Sequence, residues 1–317
     1  MANLSDRLTG TEEAILPNEN MVINGGADIW QRGLSFDVSG ARAYSADRWF
    51  TQDDVDRSND VPDSNAAYSL DIVGPYSVFG PSILTTVELS NPSNGSAPFT
   101  PSLDYTLSFW AKREVSQPYN IEVSFVDEAG SLAFKVPIIS VNTESATAGE
   151  WQKFTVTFNI GNAVPNASNQ ALQIKFIASN FATFEHMFLT LVKLEQGSVA
   201  TEFTRAGNTL AGELAMCQRY FQSMFQGQGK TLTTTLARCY GVFPVQMRVK
   251  PFVSLFDDEF IQISIIGITD RTVGSIGSHT GSTYSAQIDF NLTSTGPINE
   301  MCAVNHLYPF LSLDAEI

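Results

Sequence analysis

Apolar and polar residues alternate with a period of two along most of this chain, the pattern of strands with one buried face. Tyr68, Leu70 and Ile72 alternate with polar neighbours. So do Ile83, Thr85, Val87 and Leu89, then Tyr105, Leu107, Phe109 and Ala111, then Ile121, Val123 and Phe125. The segments GPYSVFGPS (74–82), NPSNGSAP (91–98) and DEAG (127–130) separate these runs with residues that pre-set a bend or tolerate positive φ. Phe154, Val156, Phe158 and Ile160 continue the pattern, then Leu172, Ile174, Phe176 and Ala178, and HMFLTLVKLE (186–195) reads as a last strand.

Many short strands with no helices between them predict an all-β, two-sheet jelly-roll sandwich over residues 18–205, after a polar leader at 1–17. The period then changes. Leu210, Leu214, Cys217, Phe221 and Met224 recur at helical spacing, with Asn208 as N-cap, Glu213 near the start and Gly227 and Gly229 as the stop. The spacing predicts a connecting helix within a 206–228 linker, packed on its own chain or placed at a trimer axis. Residues 229–317 are expected to form a second, smaller β-sandwich domain. Its clearest strand is TYSAQIDFNLT (283–293), with Tyr284, Ala286, Ile288, Phe290 and Leu292 on one side, while FIQISIIGIT (260–269) changes phase as a bulged strand does.

Composition narrows the function. The chain has 317 residues, about two domains' worth. Only 16% are charged against 43% hydrophobic, so Ser, Thr, Asn and Gln must cover much of the surface. A formal charge of −15 opposes nucleic acid and anionic membranes as partners. The acidic run Asp53, Asp54, Asp56, Asp60 and Asp63 lacks the glycine and terminal glutamate of a helix–loop–helix calcium loop, and reads as a solubilising surface loop. Cys217, Cys239 and Cys302 share no short spacing for a zinc site or a redox pair and are expected to stay reduced. No run approaches a membrane span, and because the first residues show neither a basic n-region nor an apolar core, no secretion signal is expected.

Enzymatic signatures are missing. His186, His279 and His306 stand apart from one another and from any nucleophile elbow or cysteine pair. FQGQGKT (225–231) ends like a phosphate-binding loop but lacks its first glycine and follows a helix, so it reads as linker. The expectation is a binding protein rather than an enzyme, with no cofactor.

The ordered motifs NGGADIWQRG (24–33), YSADRW (44–49), LSFWAKRE (107–114), GEWQKFTVTF (149–158), VKLEQGSVATEF (192–203), ELAMCQRYFQ (213–222) and FLSLDAEI (310–317) resemble a family of bacteriophage virion proteins, tail-fibre or carbohydrate-binding-module-like structural proteins. The resemblance covers residues 18–225 well and the C-terminal region loosely. It implies a virion location, other virion proteins as partners, a homotrimer, and a tail fibre or tail tip that recognises a host-surface glycan. A capsid decoration protein or head fibre is the alternative.

Within that family, YTLSFWAKRE (105–114) and EWQKFTVTF (150–158) look like matching strands of jelly-roll carbohydrate-binding modules. If Leu107, Phe109 and Ala111 face the core, Trp110 faces out with Ser108 and Lys112, either free to stack on a sugar or covered by a second layer. Tyr76 and Phe79 are the next stacking candidates. Asp28 and Glu195 fall where such modules hold a structural calcium. Trp30, Arg32, Asp47, Arg48 and Trp49 are read as a structural clamp pinning the N-terminal segment across the sheet.

Overall fold

The computed structural model describes residues 20–38, 43–74, 81–88, 102–126, 136–161, 171–178, 185–222, 227–255, 261–265, 271–293, 295, 301–304 and 311–314. The leader at 1–17, Tyr76, Phe79 and His306 lie outside the described residues. The chain divides into two compact units, one of residues 1–28 and 34–210, the other of residues 29–33 and 211–317.

Unit one is a jelly-roll β-sandwich. Its strands are β1 (Ser35–Phe36), β2 (Ala43–Tyr44), β3 (Trp49–Thr51), β4 (Asp54–Ser58), β5 (Ser69–Gly74), β6 (Ser82–Glu88), β7 (Asp104–Arg113), β8 (Tyr119–Val126), β9 (Val136–Asn142), β10 (Gln152–Asn159), β11 (Ala171–Ala178) and β12 (Glu185–Gln196). They form two six-stranded antiparallel sheets, β1-β4-β5-β12-β7-β10 and β2-β3-β6-β11-β8-β9. From β5 to β12 the chain passes repeatedly between the sheets, so the alternating apolar residues of both meet in one core.

Aromatic rings fill the centre of that core. Phe109 of the first sheet stacks on Phe154 at 5.5 Å and meets Phe176 and Tyr119 of the second edge-on, at 5.0 and 6.2 Å. Each such side chain contributes about 1.5–3 kcal/mol by leaving water, and each ring pair about 0.5–1.5 kcal/mol more. Inside the same core Arg113 donates to both carboxylate oxygens of Glu185, Nε to Oε1 at 2.9 Å and Nη2 to Oε2 at 3.3 Å, with both side chains essentially fully buried.

The last strand of the sandwich is not regular. Thr190 faces Trp110 and Lys193 faces Ser108, so Leu191 and Val192 share a bulge, with Leu191 at φ +51°. The bulge is the docking point for residues 20–28: the Val192 amide donates to the Gly25 carbonyl at 2.8 Å, and Asn20 donates to the Val192 carbonyl at 3.0 Å. A side chain at Gly25 would overlap the Val192 carbonyl oxygen, so only glycine permits this approach.

In unit two the structure departs from the sequence expectation. Helix α1 covers Leu210–Gln218 only, and Phe221–Gln222 form strand β13 instead of a further helical turn. The cause is pairing of β13 with the strand Leu311–Asp314, whose ladder takes the backbone groups a longer helix would use. The described part of FQGQGKT is strand rather than linker: Gly227–Thr233 is strand β14, with Gly227 and Thr231 buried and Gln228 and Lys230 exposed. Its glycines hide the strand signal.

The remaining strands are β15 (Leu236–Val242), β16 (Phe252–Leu255), β17 (Ile261–Ile265), β18 (Arg271–Gly281), β19 (Ser285–Leu292), β20 (Met301–Val304) and β21 (Leu311–Asp314). Strands β14-β15-β19-β18-β17-β20 close into a barrel, and β13-β21-β16 form a separate three-stranded sheet. This corrects the second sandwich expected at 229–317. The closing strand β20 pairs on one side with β14 and on the other with β17, and two bulges bend β18 around the curve. The barrel core holds Cys239, Phe243, Val273, Ile288, Phe290 and Cys302.

Candidate functional site

The outer face of the first sheet of unit one carries a cluster of rings and charges. Phe188 on β12 is registered against Asp71 of β5 and against Lys112 of β7, while Gln152 opposite Ala111 brings Trp151 beside Lys112. These residues form one row across the strands because Met187, Leu189 and Ala111 take the buried positions of the same pleats. The Trp151 and Phe188 rings lie 6.1 Å apart, tilted by 59°, and both are half-buried.

Polar groups surround the rings. The Lys112 ammonium sits over Phe188 at 4.5 Å and over Trp151 at 5.8 Å. Asp60, from the connection between β4 and β5, pairs with Lys112 and accepts a 2.8 Å hydrogen bond from the Trp151 indole. His186 stacks on Phe188 at 5.9 Å and pairs through Nδ1 with Asp71 at 2.7 Å. Burial pushes the Asp60 carboxyl upward, but the hydrogen bonds from Lys112 and Trp151 and the lysine charge outweigh it and hold the group below its ordinary value. At Asp71 burial dominates and raises the value, with His186 opposing. Partly exposed rings flanked by carboxylates, an ammonium and an imidazole can stack on the C–H face of a pyranose while the polar groups bond its hydroxyls.

Trp110 belongs to the next row of this face, opposite Lys153 and Thr190, and is half-buried. Part of that row is covered: Thr190 is fully buried and donates to the Tyr68 carbonyl at 2.8 Å, and Ser108 is buried further along β7. The candidate Trp110 therefore adjoins the Trp151–Phe188 pair. Trp151 and Phe188 themselves were not singled out in the sequence, although their alternation with Phe154, Met187 and Leu189 marks the outward face.

The acidic run is not one solvated loop. Asp53 is fully buried and accepts from the Ser82 amide at 2.9 Å, Asp54 and Asp56 lie on β4, and Asp60 joins the ring cluster. Asp28 and Glu195 each have protein partners. Asp28 takes a two-pronged pair from Arg205, at 2.7 and 3.2 Å, and Glu195 accepts from the Thr201 amide and hydroxyl with Lys193 3.3 Å away. Among the described residues no group of three or more side chains is gathered to hold a metal ion.

The five residues read as a clamp are divided between the units. The Trp49 indole donates to the Asn24 carbonyl at 2.9 Å, Asn24 donates to the Asp47 carbonyl at 2.9 Å, and Arg48 reaches the Thr86 carbonyl and hydroxyl. Trp30 and Arg32 belong to unit two, where the Arg32 guanidinium lies 3.7 Å over the Phe221 ring. No helix among the described residues is long and apolar enough to cross a membrane.

No protein-family model and no curated protein matches this chain. Among solved structures it is similar to the enzymatically active domain of bacteriophage CBA120 tailspike protein 4, with 16% identity over 56% of this chain and 21% of that one, at a TM-score of 0.33. It is similar to a putative sugar binding protein from Bacteroides thetaiotaomicron, with 10% identity over 56% and 100% of the two chains, at 0.38. A xylan-binding domain from Paenibacillus barcinonensis gives 13% identity over 56% and 93%, at 0.33.

Proposed function

We propose that this chain is a glycan-recognition component of a bacteriophage particle, a tail-fibre or tail-tip protein that binds a host-surface saccharide without cleaving it. The observation that carries the binding step is the Trp151–Phe188 pair on the open face of the first sheet, ringed by Lys112, Asp60, Asp71 and His186. The place in a phage rests on the ordered sequence motifs from NGGADIWQRG to FLSLDAEI.

Titration of the full chain against a soluble-glycan array tests the binding step. Binding lost in both Trp151→Ala and Phe188→Ala is the expected result; no binding by the folded wild type overturns it. Release of reducing ends from a bound glycan overturns the non-enzymatic reading. Immunogold labelling of particles tests the location, with label on the tail expected and label confined to the head assigning the chain to capsid decoration. Sedimentation of the purified chain checks the proposed homotrimer.

A further inference from the structure

The barrel of unit two brings two of the three cysteines together although 63 positions separate them. The sulfurs of Cys239 on β15 and Cys302 on β20 lie 3.7 Å apart, and neither is in a disulfide. Both are registered against the same residue, Gly229 on the intervening strand β14. In a flat sheet, strands on either side of a common neighbour lie about 10 Å apart, beyond the reach of a disulfide. Barrel curvature tips inward-pointing side chains of such strands toward each other. Gly229 adds a second cause: it lets the β15 backbone approach β14 closely, since a Cβ there would overlap the Arg238 carbonyl oxygen.

We infer that Cys239 and Cys302 are a latent disulfide, a covalent staple that closes across Gly229 and ties β15 to β20 under oxidising conditions. A peroxide is the oxidant class that suits so buried a pair, because the molecule is small and Cys302 is only 2% exposed. In the first step the Cys302 thiolate attacks one peroxide oxygen, the O–O bond breaks, and the leaving hydroxide takes a proton to become water. In the second the Cys239 sulfur attacks the sulfenic sulfur, the S–O bond breaks, and the hydroxyl leaves with the Cys239 proton as a second water. Two thiols are oxidised and one peroxide is reduced. The hydrogen bond between the thiols supports this order: it holds the Cys302 thiol below its ordinary value and, with burial, pushes Cys239 up. Cys217, on helix α1 and buried, takes no part.

The test is hydrogen peroxide treatment of the full chain, quenched and compared with a reduced control. The expected product is lighter by about 2 Da, the two hydrogens lost. The free-thiol count in denaturant should fall from three to one. A peptide map should join Cys239 to Cys302, and the barrel's melting midpoint should rise and fall back on addition of dithiothreitol. Cys239→Ser should stop at a sulfenic acid on Cys302, heavier by about 16 Da and trapped by dimedone. Cys217→Ser should still lose the two hydrogens, which keeps the test decisive should Cys239→Ser fail to fold. Persistence of all three thiols, oxygen added to Cys302 with the Cys239 thiol intact, or a link through Cys217 overturns the inference.

Discussion

The indole nitrogen of Trp151 donates to Asp60 Oδ1 at 2.8 Å, joining a residue next to β10 to the connection between β4 and β5. The bond fixes the edge of the indole and leaves a ring face half-open. Trp151→Phe, which keeps a ring and loses the donor, is expected to weaken glycan binding less than Trp151→Ala. The alanine variant should lose on the order of tenfold in affinity, about 1.4 kcal/mol, with little change in melting temperature. Isothermal titration beside a thermal melt checks both.

Asp60 and Asp71 should leave opposite marks on the pH dependence of stability. The Asp60 value is lowered in the folded chain, so its contribution is complete above the ordinary 3.8 and is lost as pH falls through the folded value. The Asp71 value is raised, so its folded form holds a proton the unfolded chain has released, and stability declines as pH rises from 3.8 through the folded value. Denaturant melts of Asp60→Asn and Asp71→Asn across the acid range should show wild-type advantage over the first disappearing at low pH, and a flatter profile above 3.8 for the second.

Removing one partner of Arg113–Glu185 strands a charge in the core. Glu185→Gln should cost about 3–5 kcal/mol, whereas Arg113→Met with Glu185→Leu should cost far less because no lone charge remains. Urea unfolding of the single and double variants measures the difference.

Gly25→Ala places a methyl group against the Val192 carbonyl, which sits in a bulge and cannot retreat without breaking its bond to Asn20. The expected loss is about 1–3 kcal/mol. Hydrogen exchange should show the Val192 amide losing protection first.

The strand that shows its sequence period in burial is Phe154 to Phe158, where Lys153, Thr155 and Thr157 are exposed; between Tyr105 and Phe109 the polar Thr106 and Ser108 are buried too, as is Gln173 between Leu172 and Ile174. Where the outer face is also covered the period blurs. The run 186–195 reads as one strand, and the bulge that reverses its phase is masked because the two residues in it, Leu191 and Val192, are both apolar. Barrel closure could not be read either, since it depends on β20 meeting β17, a pairing with no local signature. At the candidate site the outward position of Trp110 followed from alternation and its candidacy from the resemblance. The Trp151–Phe188 pairing depends on sheet order, which sets β12 beside β7 and β7 beside β10, and His186 seemed isolated because its partner Asp71 lies 115 positions away.

Closure of the barrel has a consequence for crowding. A strand at the edge of a sheet offers free amides and carbonyls to any other strand, and identical chains held side by side would be the readiest to add. The barrel offers no such template, because every strand has a neighbour on both sides. In the sandwich, β1 and β2 at one edge are two residues long, and at the other edge β9 carries Pro137 and β10 the exposed Lys153. The barrel and the sandwich edges are therefore blunted against pairing with a second chain, and among the described residues the open edges of unit two are confined to the short strands β13 and β16.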